Sequence, residues 1–493
     1  FLVQIGYQAL DVSPDPTLPS TEADWLSSLR RLTAAWPDDS PWHLLQDDWQ
    51  QPAFLQSPCP VERQGDYKRE ALAAQDIDVL VTARHHDEKN GKLPLDEARL
   101  AGLVHALVML QGWSGFLGAG NYGSMRMNGG FGSRSQFRLA FDRGAGSEFR
   151  RDLGVLLARR DRLQDDMMAS QIGHRSAEPI RLAWLVPWTD ASLALADVHP
   201  YCLEVCRRVR LVRRSGQLAL LRATSKGMRI DGSERLGRVL DPWSPIVLRG
   251  SGASAAQEMS KALTALPSSL GYRALQRLLF DRTSTELPVL AKLSSGEART
   301  HHGRSAALIA QVLVGGQGKT DGLLRREILL TPTVVRRHAS EDAALGRRAE
   351  QFVQLVSGVP HGQKGVMNAF RSALIQFVDG SDDVDWKNPE FVRIIEPSLQ
   401  AFDAVIDEAF FPQLFRTFED GLEDTPAQQH WAGWLKGAAV RQLNIVIETL
   451  PTRDSGRHLA AGRARSRLDR ELDKSFGALL AARPAPAPRE NAA

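Results

Sequence analysis

Residues 311–327, QVLVGGQGKTDGLLRRE, run from an apolar segment into a glycine pair and then Gly318-Lys319-Thr320. A glycine-rich turn closing on Gly-Lys-Thr is how a nucleotide-binding P-loop ends. There, backbone N–H groups and a helix N-terminus cradle the phosphates while the lysine reaches the outer ones. The full motif needs glycine five positions before Gly318, where Leu313 stands. It needs a helix to begin where Asp321-Gly322 places a carboxylate and a helix breaker. Its acidic partner for magnesium has one candidate, AVIDE at 404–408, whose apolar spacing is that of a helix face. A P-loop nucleotide hydrolase is thus one reading, with three mismatches. The other is a glycine turn carrying Gln317, Lys319 and Thr320 at its tip, three side chains able to reach the bases or phosphates of a duplex.

A second glycine-rich stretch, GAGNYGSMRMNGGFGSRS (118–135), holds six glycines interrupted by Asn121, Arg126, Asn128 and Arg134. Glycine lets backbone approach a partner closely. Asparagine and arginine add donors, and the minor groove presents acceptors at every base pair. Arg126, Asn128 and Arg134 are therefore candidate DNA contacts, against the alternative of a plain surface loop. Basic residues cluster nearby: eleven Lys/Arg against three acids from Arg207 to Arg249, and nine arginines against four acids from Tyr122 to Arg162. Such runs favour a polyanion, although each alone also fits a solvated face.

Other chemistry is thinner. His85-His86-Asp87 and His301-His302 resemble metal ligands, but adjacent side chains point in different directions and no partner is evident. Cys59, Cys202 and Cys206 lack the spacing of a four-ligand zinc site. Three cysteines in 493 residues fit a reducing, cytoplasmic setting. No nucleophile elbow or other enzyme signature is present, so the chain is expected to be no enzyme and to need no metal or cofactor. No apolar run approaches the ~20 residues of a membrane span.

The elements that would position these residues are legible. TEADWLSSLRRLTAAW (21–36) reads as an amphipathic helix capped by Thr21 and Asp24. LDEARLAGLVHALVMLQGW (95–113) reads as a buried helix feeding the glycine segment, after which QFRLAF alternates as a strand. LEVCRRVRLV and QLALLRAT read as strands around Ser215-Gly216, and SAALIAQVLV (305–314) as a strand or a buried helix. After Pro332 the period becomes 3.6, and helices are expected in VVRRHASEDAALGRRAEQFVQLVSGV, MNAFRSALIQFVDG, PSLQAFDAVIDEAFFPQLFRTFEDGL, AQQHWAGWLKGAAVRQLNIVIETL and SGRHLAAGRARSRLDRELDKSFGALLAA. The expected fold class is α+β: a mixed α/β N-terminal domain with long loops at 1–332, an antiparallel, four-helix-type bundle at 333–482, and a disordered tail at 483–493. The chain opens at Phe1 inside FLVQIGYQAL, so further N-terminal sequence is expected.

Taken in order, these features resemble the large subunit of the type I-E CRISPR Cascade complex, the CasA family. FLVQIGYQAL is similar to a helix inside that family's N-terminal domain, and WQQPAFLQSP to its Pro-Phe-x-Gln element. GAGNYGSMRMNGG with the strand ending FDRG resembles its glycine loop; LEVCRRVRL and DPWSPIVL resemble later landmarks. GGQGKTDGLLRRE is similar to its Gly-Gly turn and a Leu-x-Arg-Arg-like helix start, and LPTRDSGRHLAAGRARSRLDREL to its last bundle helix.

The resemblance implies a non-catalytic subunit that binds crRNA together with Cascade backbone and small subunits. It implies reading of the protospacer-adjacent motif (PAM) on double-stranded DNA, help with strand opening and R-loop formation, and recruitment of a separate helicase-nuclease. Carried over by position, the minor-groove loop falls on Gly118, Ala119, Gly120 and Asn121, and a basic finger on Lys226 to Arg229. The strand-parting wedge falls within Gln317, Gly318, Lys319 and Thr320, and contact to crRNA or a backbone subunit on Arg84, His85, His86, Lys89 and Asn90. A helical scaffold without a nucleic-acid role is the remaining alternative.

Overall fold

The computed structural model describes residues 1–14, 16–71, 100–128, 133–172, 176–214, 217–248, 260–264, 270–316, 319–359, 362–453 and 456–482. The fold is α+β, in two compact units. The first takes Phe1–Leu270, Arg282–Ser294 and Ala306–Ile328; the second takes Gly271–Asp281, Ser295–Ser305 and the chain from Leu329 on. The division is thus less linear than a single boundary at 332. The helix Tyr272–Phe280 joins the helical unit because its first amide, Tyr272 N, donates to Asp407 Oδ1 at 2.6 Å, while Arg273 pairs with Asp403 at 2.8 Å. The tail expected at 483–493 lies outside the described residues.

In the first unit the apolar helix Leu100–Gly112 buries Leu103, Leu107 and Leu110 against Leu203, Val209, Leu211, Leu218 and Leu220. Several of these come from the antiparallel strands Arg208–Arg214 and Gln217–Ala223, in register from Arg208↔Ala223 to Arg214↔Gln217. LEVCRRVRLV is not one strand: Val198–Leu203 and Arg208–Arg214 are separate, with Glu204–Arg207 between them. Glu204 leaves the ladder because its carboxylate turns inward to bind Ser124 and Arg126. The capped helix forms over Glu22–Leu32, where Thr21 Oγ1 accepts from Asp24 N at 3.2 Å.

A second sheet orders Lys319–Leu330, Ala306–Gly316 and Ser135–Ala140 side by side. SAALIAQVLV is therefore a strand. It pairs antiparallel with Ser135–Ala140, Ala307↔Ala140 through Val312↔Ser135. The expected helix start at Leu323-Leu324-Arg325-Arg326 is instead strand. Alternation explains it, since Leu324, Arg326 and Ile328 are more covered than Leu323, Arg325, Glu327 and Leu329 between them. That corrects the P-loop reading as well, because no helix dipole follows Lys319-Thr320.

The second unit centres on four helices: Val366–Asp379, Pro389–Glu419, Asp424–Thr449 and Arg457–Ala481. Its aromatic centre stacks Phe352 on Trp431, centroids 5.2 Å apart and 3° from parallel, with Phe410 edge-on to both. Each such pair adds about 0.5–1.5 kcal/mol beyond area burial. Two expectations change. The long helix after Pro332 is two, Pro332–Ala339 and Ala343–Ser357, because Glu341 takes φ 52° and Asp342 caps the second by accepting from Ala344 N at 2.9 Å. The following long helix starts at Pro389, capped by Asn388, and runs through Pro397. The buried face Phe391, Ile395, Phe402 and Ile406 spans that proline and outweighs its lost hydrogen bond. Among the described residues, no helix is long and apolar enough to cross a membrane.

The opening helix, Leu2–Asp11, carries a buried polar knot rather than a purely apolar face. Asp11 accepts from Arg160 Nε at 2.9 Å and Arg181 Nη1 at 2.6 Å, with His199 Nε2 3.5 Å away. His199 Nδ1 receives Tyr201 N and Gln8 Nε2, both at 2.9 Å, so its proton sits on Nε2 facing Asp11. Burial alone would raise the Asp11 pKa, but the hydrogen bonds and charges of His199 and Arg181 hold it well below the usual carboxylate range. A carboxyl depressed in the fold stabilises it fully above the unfolded pKa of about 3.9 and loses that contribution as pH falls through the folded value. Asp11→Asn is expected to cost about 3 kcal/mol in urea unfolding at neutral pH, with the gap from wild type closing as pH drops below about 4. A gap of constant size across that range would refute this assignment.

Candidate nucleic-acid interface

The glycine segment begins where the helix Leu100–Gly112 ends. Its tip is a tight turn: Leu117 N donates to Asn121 O and Asn121 N to Gly118 O, each at 3.0 Å. Gly118 has φ 98° and Gly120 has φ 81°. Positive φ at the third turn residue is what a type II turn requires, and glycine adopts it without steric cost. The two glycines face different surroundings. A Cβ on Gly120 would lie 2.5 Å from Thr224 Cβ, whereas one on Gly118 would meet nothing within 4 Å. One glycine lets the turn dock; the other faces open space.

The dock is Thr224-Ser225, where Ser225 N donates to Gly120 O at 3.0 Å. The next residue is Lys226, its side chain 77% exposed, with Nζ 3.1 Å from Asp190 Oδ2, a carboxylate it shares with Arg63. Two stretches more than a hundred residues apart in sequence, Gly118–Asn121 and Lys226, are therefore neighbours. Thr224, Ser225 and Asp190 had no sequence signal, since their roles arise from this long-range docking.

Other residues fall differently. Arg229 is buried beneath the surface, donating to Val186 O at 2.8 Å and lying over the Trp188 ring at 5.1 Å. Burial pushes its pKa down to about 10. The exposed end of the 226–229 finger is Lys226. Arg126 and Arg134, expected as DNA contacts, are inside the protein. Arg126 pairs with Glu204 and donates to Pro200 O at 2.7 Å and Cys202 O at 3.0 Å. Arg134 grips Asp241 through Nε at 2.7 Å and Nη2 at 3.1 Å. Burial would raise the Asp241 pKa, but Arg134 and Arg126 hold it down. A guanidinium so enclosed cannot reach a duplex while these bonds stand. Asn128 is partly exposed and donates to Thr264 Oγ1 at 3.3 Å.

The hairpin strand Ala306–Gly316 runs four residues beyond Val312↔Ser135, about 13 Å at strand rise, on the side from which the glycine segment enters. Lys319 and Thr320 open the returning strand. Gln317 and Gly318 lie outside the described residues, as do Arg84, His85, His86, Lys89 and Asn90. Among the described residues no cluster of His, Cys, Asp and Glu could hold a metal ion, and all three cysteines are buried thiols. Burial pushes the Cys202 thiol up to about 11.

No family model and no curated protein sequence matches the chain. Solved structures do. The CRISPR-associated protein Cse1 from Acidimicrobium ferrooxidans is similar at TM-score 0.58 and 14% identity, over 97% of this chain and 90% of its own. CasA from Thermus thermophilus is similar at 0.57 and 13%, over 96% and 89%. Thermobifida fusca Cse1 is similar at 0.53 and 12%, over 97% and 89%. At these identities the likeness is one of fold. The chain has the fold of these Cse1/CasA proteins along almost its whole length.

The burial pattern separates structural from surface arginines and lysines. Arg126→Ala, which strands Glu204 without its partner, is expected to cost about 3–5 kcal/mol in chemical denaturation. Lys226→Ala should stay within about 0.5 kcal/mol of wild type. Equal effects would contradict the placement of these side chains.

Proposed function

We propose that this protein is the large subunit of a crRNA-guided Cascade surveillance complex and that it reads the PAM of double-stranded DNA. In this reading it helps open the strands and is not itself a nuclease. Its partners are crRNA, target duplex, the Cascade backbone and small subunits, and a separate helicase-nuclease that it helps recruit. The observation that carries the reading is the turn Gly118–Asn121 docked beside exposed Lys226, with open space over Gly118. A narrow groove lined with acceptors suits exposed backbone and a short amide, and a nearby lysine suits a phosphate. The Cse1/CasA fold supports the same reading. Gln317–Thr320, where the strand Ala306–Gly316 gives way to the strand opened by Lys319 and Thr320, is the proposed strand-parting wedge, and Arg84–Asn90 the proposed contact to crRNA or the backbone.

Phosphate contact and groove reading leave different traces. Lys226→Ala should weaken binding across sequences and lower the salt slope by about 1. Gly118→Val fills the space before the turn and, because Gly118 holds φ 98°, also strains the backbone that presents it. In the reconstituted complex it should weaken binding of PAM-containing duplex by at least ~10-fold, about 1.4 kcal/mol, and leave a pre-melted target nearly unaffected. Equal loss on both targets would sink the groove-reading role.

A further inference from the structure

Arg207 is buried, and no carboxylate pairs with it among the described residues. Its four terminal N–H bonds each find a neutral oxygen. Nη2 donates to Gly115 O at 2.5 Å and Ser114 Oγ at 2.7 Å; Nη1 donates to Cys206 O at 3.0 Å and to Tyr122 O. Gly115 and Tyr122 are the two ends of the segment whose tip is the Gly118–Asn121 turn. One planar group therefore closes the neck of that loop. Its own backbone is fixed too: Arg207 N donates to Gln111 Oε1 at 2.8 Å, and Gln111 Nε2 returns to Arg207 O at 3.0 Å. Gln111 sits in the last turn of the helix from which the loop departs. The next residue, Arg208, holds the other side, donating from Nη1 to Thr224 O at 3.1 Å. Consecutive arginines thus secure the loop and its dock.

The energetics single Arg207 out. Arg126 recovers its desolvation cost through Glu204, whereas Arg207 has only dipoles, and burial lowers its pKa. A planar fork, unlike an ammonium, can span several fixed carbonyls at once. Resting on the groove-reading role proposed above, we propose that Arg207 is the positioning residue of the minor-groove loop, clasping Gly115 and Tyr122 so that the Gly118–Asn121 turn is presented to duplex DNA in one geometry.

The test uses the full reconstituted complex with Arg207→Lys, which keeps the charge and loses the fork. The expected result is a loss of about tenfold in affinity for PAM-containing duplex, no comparable loss on a pre-melted target, and faster hydrogen exchange at Leu117 and Asn121. A general folding defect would instead lower binding to both targets together. If Arg207→Lys does not assemble, Ser114→Ala removes one clasp acceptor and is expected to shift duplex binding and loop exchange in the same direction, less strongly. Duplex binding and loop exchange both at wild-type level in the variant that assembles would overturn the proposal. If Gly118→Val still impairs duplex binding in that case, only the clasp falls. If Gly118→Val is also silent, the groove-reading role falls with it.

Discussion

The first unit is organised around four buried charges. Arg126 faces Glu204 and, at 3.9 Å, Asp241; Arg134 faces Asp241. Each ion carries a desolvation cost of several kcal/mol that only close, well-directed partners offset. The chain accordingly gives up regular structure to meet that requirement. Glu204 abandons its strand, Met125 N donates to Glu204 Oε2 at 3.0 Å, and Ser244 Oγ bridges Asp241 to Ser135 O. The knot joins the end of the glycine segment, the Val198–Leu203 strand and the Asp241–Ser244 turn. It also fixes where the Ser135–Ala140 strand begins, and with it the sheet that carries the long hairpin.

Several buried arginines of the first unit clasp irregular backbone. Arg210 donates to the carbonyls of Gln46, Gln51 and Asp48, Arg229 to those of Val186 and Pro187, and Arg207 to those around the glycine loop. Loops of this kind leave carbonyls that no ladder or helix satisfies, and a guanidinium satisfies several at one stroke. The consequence for the candidate interface is a loop fixed at its neck and dock yet open over Gly118.

This use of arginine explains what the sequence could and could not convey. The runs around 122–162 and 207–249 suggested a polyanion footprint, yet many of those arginines face inward. Composition counts charge but not burial, and burial here is decided by partners such as Glu204, far away in sequence. Local signals fared better. The Thr21 cap, the apolar helix ending at Gly112, the strand at 135–140 and the helical period after Pro332 all follow from neighbours within a few turns. The break at Glu341 and the extension through Pro397 were hidden for opposite reasons, one a local left-handed residue and the other a buried face that overrides a local breaker. At the candidate interface, glycine spacing singles out the loop, but nothing local ties it to Thr224.

The P-loop-like sequence shows the same dependence on context. A phosphate cradle depends on the element that the lysine opens: a helix turns successive N–H groups toward one point, whereas a strand sends them alternately to either side. Lys319 opens a strand, so its neighbouring amides are committed to the sheet edge or to Ala306–Gly316. With a strand rather than a helix after Lys319, the sequence lacks the dipole and convergent amides of a phosphate cradle. The strand Ala306–Gly316 runs four residues past its pairing with Ser135, and its neighbour Ser135–Ala140 begins one residue after Arg134 leaves the charged knot. The glycine loop and the hairpin consequently share one frame.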